Sequence, residues 1–392
     1  MACHVTGQAG FTVSEAAVYG AAEAARAKSD TRLRPVSTQS KSRYNHAMRP
    51  RLAASPVPPG GKNLTAFRRA LLPWYDQHRR ELPWRKTRDP YRIWLSEIML
   101  QQTRVAAVLD HYRIFLKRFP NVQTLAAAKE DAVLAAWSGL GYYSRARRLH
   151  QCAKELVHEH RGRFPQTAEM LQALPGIGRY TAAAIASIAF AEPVAVVDGN
   201  VERVLQRLIG IEVIGIKLTT PQTWQHAQTL LANSRPGDFN QAMMELGATV
   251  CLPRQPRCPI CPLRKWCVGA ITMERRAPSP GGTLPRNQTR RFRKEISCVL
   301  YRSNGRIRLV QRSRKSPLMP GMWELPQLSQ KRTGTLVPVP WRTFRHAITV
   351  TDYTVHVHMA SAGKGKWIPL TNISHFPITG LTRKILKTAG VI

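Results

Sequence analysis

Four cysteines crowd together beyond the middle of the chain: Cys251, Cys258, Cys261 and Cys267, spaced C-x6-C-x2-C-x5-C. Thiolates so close in sequence can enclose one metal centre. A four-cysteine zinc site is usually built from two C-x-x-C pairs, and only Cys258 and Cys261 form one here. The spacing fits a cluster-binding loop better, with a structural zinc ribbon as the alternative. Arg254 and Arg257 stand in the first gap, and Arg264 and Lys265 in the last. A metal clip dressed in cations suits a rigid loop presented to phosphate. The remaining cysteines, at 3, 152 and 298, are scattered, which a disulfide framework would not be.

Two carboxylates stand out next. Glu97 is a lone acid in the apolar helix Trp94-Leu95-Ser96-Glu97-Ile98-Met99-Leu100. A desolvated carboxyl has a raised pKa and can donate a proton near neutral pH. Asp198, in Val196-Val197-Asp198-Gly199-Asn200, follows an apolar run at a break before the next helix. A carboxylate there can steady a developing cation. One raised and one ionised carboxyl is the pairing that breaks glycosidic bonds through an oxocarbenium-like state. The bland readings are an N-cap for Asp198 and a paired core charge for Glu97. Between them, Leu174-Pro175-Gly176-Ile177-Gly178 joins two helical stretches. Gly176 and Gly178 allow a tight hairpin, and the helix that follows points unpaired N–H groups outward, as a phosphate requires. An ordinary corner between helices is the alternative.

The elements that must position these groups follow from periodicity. Leu64, Phe67, Leu71 and Trp74 open a helical pattern. Helices are expected at Val105–Phe119, Thr124–Trp137, Arg145–His160, Thr167–Leu174, Tyr180–Ala189, Val201–Ile209, Pro221–Ala232 and Asn240–Cys251. Residues 63–268 therefore read as an all-α domain carrying the cysteine loop at 251–267. Residues 1–62 read as a disordered basic extension, and the Pro- and Gly-rich residues 269–293 as a linker. Residues 294–392 read as a smaller α+β domain. In it, Glu295–Tyr301 and Arg306–Arg312 flank the hairpin signal Ser303-Asn304-Gly305, Thr349–Met359 alternates as a strand, and Gly380–Lys387 closes as a helix.

Charge narrows the partner. The 392 residues hold 59 Lys and Arg against 23 Asp and Glu, a formal net of +36. Residues 1–62, 63–268 and 269–392 carry nets of +6, +12 and +18, so the excess is no tail hung on a neutral body. Such a balance implies a polyanion, most often nucleic acid. The most apolar stretch, Thr181 to Val197, is broken by Glu192 and Pro193 and is too short to span a bilayer. No membrane partner and no secretory leader are expected.

Taken together, the cysteine spacing, the LPGIG hairpin and an Asp some twenty residues after it resemble the endonuclease III superfamily of DNA glycosylases. WLSEIMLQQT (94–103), GLGYYSRARRLH (139–150), VDGNVERVL (197–205) and FNQAMMELGATVC (239–251) resemble its MutY branch, the adenine DNA glycosylases. That resemblance implies a mainly α, helix-hairpin-helix fold with an iron–sulfur cluster loop. It implies removal of adenine mispaired with 8-oxoguanine or guanine in double-stranded DNA, after the base is flipped from the stack. Glu97 would protonate adenine N7, Asp198 would steady the sugar cation, Asn200 would orient the attacked sugar, and Tyr180 would hydrogen-bond within the site. Glu245 would act from behind them. Gln102 and Tyr142 would wedge into the duplex, and the four cysteines would ligate one 4Fe–4S cluster. Relatives that also cut the backbone carry a Lys after Gly-x-Gly-Arg as the Schiff-base nucleophile; here Tyr180 follows Gly178-Arg179, and a phenol forms no imine. The expected enzyme is a monofunctional glycosylase, rather than a glycosylase/lyase for oxidised pyrimidines or a DNA-binding protein without catalysis.

Residues 294–392 resemble the Nudix-like domain of the same branch, without the glutamate-rich metal helix, and are expected to read the lesion. Phe344-Arg345-His346-Ala347-Ile348-Thr349-Val350 stands where the family touches the oxidised guanine, with Thr349 keeping a hydroxyl and Val350 replacing a His. A monomer is expected. It would act in the bacterial cytoplasm at the nucleoid, or in the nucleus or mitochondrion of a eukaryote.

Overall fold

The computed structural model describes residues 62–210, 218–270, 291–328, 339–360 and 363–392. The expected extension, up to residue 61, and all but the ends of the expected linker lie outside the described residues.

The helical part builds two lobes. In the first, α2 (Pro90–Leu100), α3 (Val105–Arg118), α4 (Val122–Ala127), α5 (Glu130–Trp137), α6 (Ser144–His160), α7 (Ala168–Gln172) and α8 (Arg179–Ala189) surround Trp94, Phe115, Trp137 and Leu149. In the second, α1 (Lys62–His78), α9 (Gly199–Ile209), α10 (Thr220–Leu230) and α11 (Pro236–Thr249) surround Phe67, Leu71, Leu205, Phe239 and Leu246. The chain crosses between lobes twice, before α2 and between α8 and α9. Helix α2 is set by local chemistry at its start. Asp89 caps it, accepting from the Tyr91 N–H at 2.9 Å, with Pro90 in the first turn. Nearly all of it is buried, Tyr91 and Ile93 to Met99, so Glu97 has no route to water along its own helix.

The expected helix Thr124–Trp137 is two helices. Ala128 and Lys129 are extended, and α5 restarts with Glu130 and Asp131 in its first turn. Those acids favour a new N-terminus there, and the break lets α4 and α5 each pack against α6. Helices α9 and α11 meet at Gly247, where a Cβ would stand 2.7 Å from Asn200 Cβ. Among the described residues no helix is long and apolar enough to cross a membrane.

The C-terminal part is one sheet covered on one face by α12 (Gly380–Thr388). Strands β1 (Phe292–Ser303), β2 (Arg306–Gln311), β3 (Trp323–Glu324), β4 (Arg342–Ile348) and β5 (Thr351–Ala360) run in the order β3-β2-β1-β5-β4, with β6 (Lys366–Pro369) on β2. Asn304 and Gly305, at φ 46° and 68°, make the β1–β2 turn, as the hairpin signal required. The long parallel pairing of β1 with β5, from Phe292↔Thr351 to Tyr301↔Ala360, has no signal in the sequence. The strand expected from Thr349 begins at Thr351 instead. Thr349, at φ 51°, and Val350 form the two-residue turn between β4 and β5, because Ile348 pairs with Thr351.

This part docks on the first helical lobe. Ser138 Oγ donates to Ile378 O at 2.7 Å, Arg383 Nε donates to Ser138 Oγ at 3.2 Å, and Met322 is buried in the helical core.

The tight α9–α11 crossing yields the first prediction. Gly247→Ala must push the helices apart or bend them, at about 1–3 kcal/mol for an overpacked contact. A clear fall in the thermal denaturation midpoint is expected; an unchanged midpoint would mean that the crossing has slack.

Candidate active site

A cavity of about 670 Å³ opens between the two lobes, lined by Glu97, Gln102, Tyr180, Asp198, Asn200, Met244 and Glu245 among others. This is the size of a small-molecule site. Six residues singled out from the sequence thus line one cavity from both lobes, although they lie as far apart in the chain as positions 97 and 245.

Glu97 comes from α2 and is 6 % exposed. Its Oε2 accepts from the Tyr180 hydroxyl at 2.7 Å. Burial pushes its pKa up from 4.5 to about 7; Tyr180 and the Arg85 charge oppose the rise, and the Asp198 charge adds to it. Tyr180 itself is driven well above 10 by burial and by the two carboxylates, so it remains a donor. The pair therefore holds a carboxyl that keeps a proton up to about neutral pH and is aimed into a cavity, which is the arrangement of a general acid. The alternative of a core acid paired with a cation does not describe it.

Asp198 caps α9, and so fulfils the bland reading while also lining the cavity. Its Oδ1 accepts from the Asn200 and Val201 N–H groups at 2.9 and 2.8 Å, and its Oδ2 from Asn200 Nδ2 at 2.9 Å. Every one of these contacts orients a carboxylate at a helix N-terminus. Asn200 is held in turn by Arg203, whose Nη2 donates to Asn200 Oδ1 at 3.0 Å and to Gly247 O at 2.7 Å, while Nε donates to Cys251 O at 3.0 Å.

Glu245 on α11 is fully buried and ion-paired twice. Arg80 donates to it through its backbone N–H, Nε and Nη2, and Arg85 through Nη2 at 2.7 Å. Burial would raise this carboxyl, but the two guanidiniums win and hold it at about 2. Arg80, Arg85 and Arg203 were not singled out from the sequence. An acid inside an apolar helix signals that it must either meet a cation or keep its proton, and only the fold selects which, and which arginine.

Tyr142 is 52 % exposed on the loop before α6 and does not line the cavity. Gln102 and Tyr142 both hold left-handed backbone, φ 55° and 47°. Gly176 turns the hairpin at φ 78° with Arg148 packed against it, and no side chain caps α8 after Gly178. Arg254 and Arg257 are exposed on the cysteine loop. Thr349 is apart from the cavity, and its hydroxyl donates to Ile348 O.

The four cysteines line a second cavity together with Arg207, Arg257 and Arg264, and none is in a disulfide. Burial raises the Cys261 and Cys267 thiols to about 11, with the neighbouring sulfurs adding to the rise. Among the described residues no three His, Cys, Asp or Glu groups gather around a single-ion position. The fold thus brings all four sulfurs to one cavity, as the ligands of a shared centre must be. The loop is anchored independently of any metal: Trp266 packs edge-on against Phe67 at 5.6 Å, and Arg207 donates to Leu252 O and Pro253 O.

Glu97 should titrate near pH 7 in the folded protein, as read by carbon-13 NMR of labelled glutamate, and Tyr180→Phe should move it higher. The native state holds this proton longer than the unfolded chain does. Glu97 therefore costs stability increasingly between its ordinary value of 4.5 and about 7, with a constant cost above. Glu245 has the opposite sign: its stabilisation is full above 4.5 and is lost as pH falls toward about 2. A Glu97 titration near its ordinary value would contradict the buried site.

Residues 95–225 match the family of HhH-GPD superfamily base excision DNA repair proteins. An adenine DNA glycosylase of Rattus norvegicus is 42 % identical over 324 residues, covering 69 % of this chain and 62 % of the relative. One from Arabidopsis thaliana is 39 % identical, covering 67 % of this chain and 47 % of the relative. One from Buchnera aphidicola subsp. Baizongia pistaciae is 42 % identical, covering 51 % and 57 %. The chain thus spans roughly half to three-fifths of the length of these relatives. The solved structure of a thermostable thymine-DNA glycosylase is 30 % identical, covers 53 % of this chain and 97 % of its own, and superposes with a TM-score of 0.50. With two helical lobes, a glycine hairpin before α8 and a carboxyl-lined cavity between the lobes, the chain belongs to the HhH-GPD superfamily of base excision DNA repair proteins.

Proposed function

We propose that this protein is a monofunctional adenine DNA glycosylase that removes adenine opposite 8-oxoguanine or guanine and leaves an abasic site. The observation that carries the reading is the Glu97–Tyr180 hydrogen bond of 2.7 Å inside the same cavity as Asp198. It pairs a carboxyl able to give a proton near neutral pH with a second carboxylate held ready for positive charge. It also fills the place of a Schiff-base lysine with a phenol. The similarity to adenine DNA glycosylases from animals, a plant and bacteria supports the choice of base.

The chain's residues divide the reaction simply. Glu97 transfers its proton to N7 of the extruded adenine. The C1′–N9 bond then breaks with its electron pair passing to the base, which leaves neutral. Asp198 steadies the sugar cation at C1′, with Asn200 fixing its carboxylate, until water adds through its oxygen and gives its proton to the Glu97 carboxylate, which restores the acid. Gln102 and Tyr142 fill the gap in the duplex. The hairpin at Gly176–Gly178, Arg254 and Arg257 take phosphates, in keeping with the net charge of +36. Thr349, exposed at the tip of the β4–β5 turn, is the residue of the C-terminal part offered to the base opposite.

Cys251, Cys258, Cys261 and Cys267 would hold one 4Fe–4S cluster. When bound, it ties the loop into a rigid unit behind α9 and α11. Action on DNA as a monomer, in the bacterial cytoplasm or in the nucleus or mitochondrion of a eukaryote, completes the proposal.

Duplexes with adenine opposite 8-oxoguanine or guanine, treated with and without alkali, test the reading. Cuts at the adenine are expected only after alkali, and the rate should fall as pH rises through about 7, as Glu97 loses its proton. Glu97→Gln should slow release by about 10²–10⁴-fold, the usual worth of a general acid. No alkali-labile site at adenine would overturn the function, and strand cutting without alkali would overturn the monofunctional assignment. The purified protein should be brown and contain iron; a colourless, zinc-loaded and active protein would rule out the cluster.

A further inference from the structure

Arg145, in the first turn of α6, is 9 % exposed, and no carboxylate among the described residues lies within ion-pair reach of it. Its guanidinium instead gathers six oxygens. Nη1 donates to Ile98 O, Met99 O and Gln101 O at 2.8, 3.0 and 2.6 Å. Nη2 donates to Thr103 Oγ1, Leu140 O and Gly141 O at 3.1, 3.3 and 3.3 Å. The Trp137 and Tyr142 rings lie 5.3 and 5.6 Å from its central carbon, and its own N–H donates to Tyr142 O at 2.9 Å.

These contacts fall into three groups. Ile98 and Met99 are in the last turn of α2, whose free carbonyls attract a cation. Gln101 and Thr103 flank Gln102. Leu140 and Gly141 lead into Tyr142. Gln102 and Tyr142 both hold left-handed backbone. Such strain costs of order 1–3 kcal/mol per residue and persists only where the surroundings over-determine it. One planar fork brackets both strained residues and ends the helix that carries Glu97. All six contacts come from Nη1 and Nη2, and Nε has no partner; a lysine has neither these two NH2 groups nor the plane that fixes them.

We propose that Arg145 is a positioning residue that holds Gln102 and Tyr142 in their wedge conformations and ties both to the helix of Glu97, so that base extrusion and the acid are set together. The wedge role rests on the glycosylase reading above; the coupling rests on the hydrogen bonds.

The test uses the full chain and a duplex with 2-aminopurine in place of the target adenine, whose fluorescence rises on unstacking. Adenine release in a single turnover is measured alongside. Arg145→Lys should reduce both signals about tenfold, because misplacement of this kind is costly. In a Gln102→Ala/Tyr142→Ala background the same substitution should change each less than about twofold, since it acts through those residues. An equal loss in both backgrounds, or no loss in either, overturns the proposal. If Arg145→Lys fails to fold by circular dichroism, Thr103→Val removes one acceptor alone. It should give a smaller loss that vanishes in the double background, and a loss of equal size in both backgrounds overturns the proposal. Absence of adenine release by the unmodified protein would sink the assigned function, whereas the fluorescence arm still decides the role of Arg145.

Discussion

A carboxyl buried against a phenol, with the arginine that acts on it already engaged elsewhere, is the constraint on which the rest of this structure depends. Glu97 can stay protonated near neutrality only while water and free cations are kept away. Helix α2 supplies the first condition by being buried almost throughout. Glu245 bears on the second. Arg85 lies close enough to oppose the rise of the Glu97 pKa, and its ion pair with Glu245 at 2.7 Å gives that charge another partner. The acid on α11 thereby offsets the arginine that would otherwise favour an ionised Glu97.

The opposite lobe answers with a group built the other way. Asp198 is both the cap of α9 and a carboxylate of the cavity, and the two roles share one geometry: the N–H groups that begin the helix also orient the oxygens. The arrangement does not end at the cavity. Asn200 passes to Arg203, and Arg203 to the carbonyls of Gly247 and Cys251, where the cysteine loop begins. The loop is thus mechanically continuous with the Asp198 carboxylate, through a contact between α9 and α11 so close that a Cβ at Gly247 would stand 2.7 Å from Asn200 Cβ.

The two halves of the site come together through an apolar contact, Ala183 and Ala184 of α8 with Val196 and Trp224, and through Asn240 Nδ2, which donates to Ser187 Oγ at 2.9 Å. Polar contacts also join the sheet to the helices. Ser138 and Tyr143 both donate to Ile378 O, and they flank the segment that presents Tyr142. The C-terminal part is therefore fixed beside the loop of Tyr142. Under the proposed function, the net charge of +36 would attract DNA without choosing a base, and that choice would fall to uncharged and neutralised groups in the cavity and at its rim.

Much of this was legible in the chain. The helical period located most helices, Asn304-Gly305 marked the hairpin, and the isolation of Glu97 in an apolar run announced a desolvated acid. The cysteine spacing marked a shared centre. These features are local: a capping residue, a turn residue or a buried acid carries its physics within a few positions. What stayed hidden depends on contacts distant in sequence. Nothing near Glu245 names Arg80 and Arg85, nothing in Phe292–Ser303 points to a parallel partner at Thr351–Ala360, and the break between α4 and α5 reflects how each packs on α6. The sequence by itself singled out six residues that the fold gathers around one cavity. Only the tertiary structure decided which cation each acid meets, and hence its proton affinity, because in a chain with 59 basic residues the choice among them is made by packing.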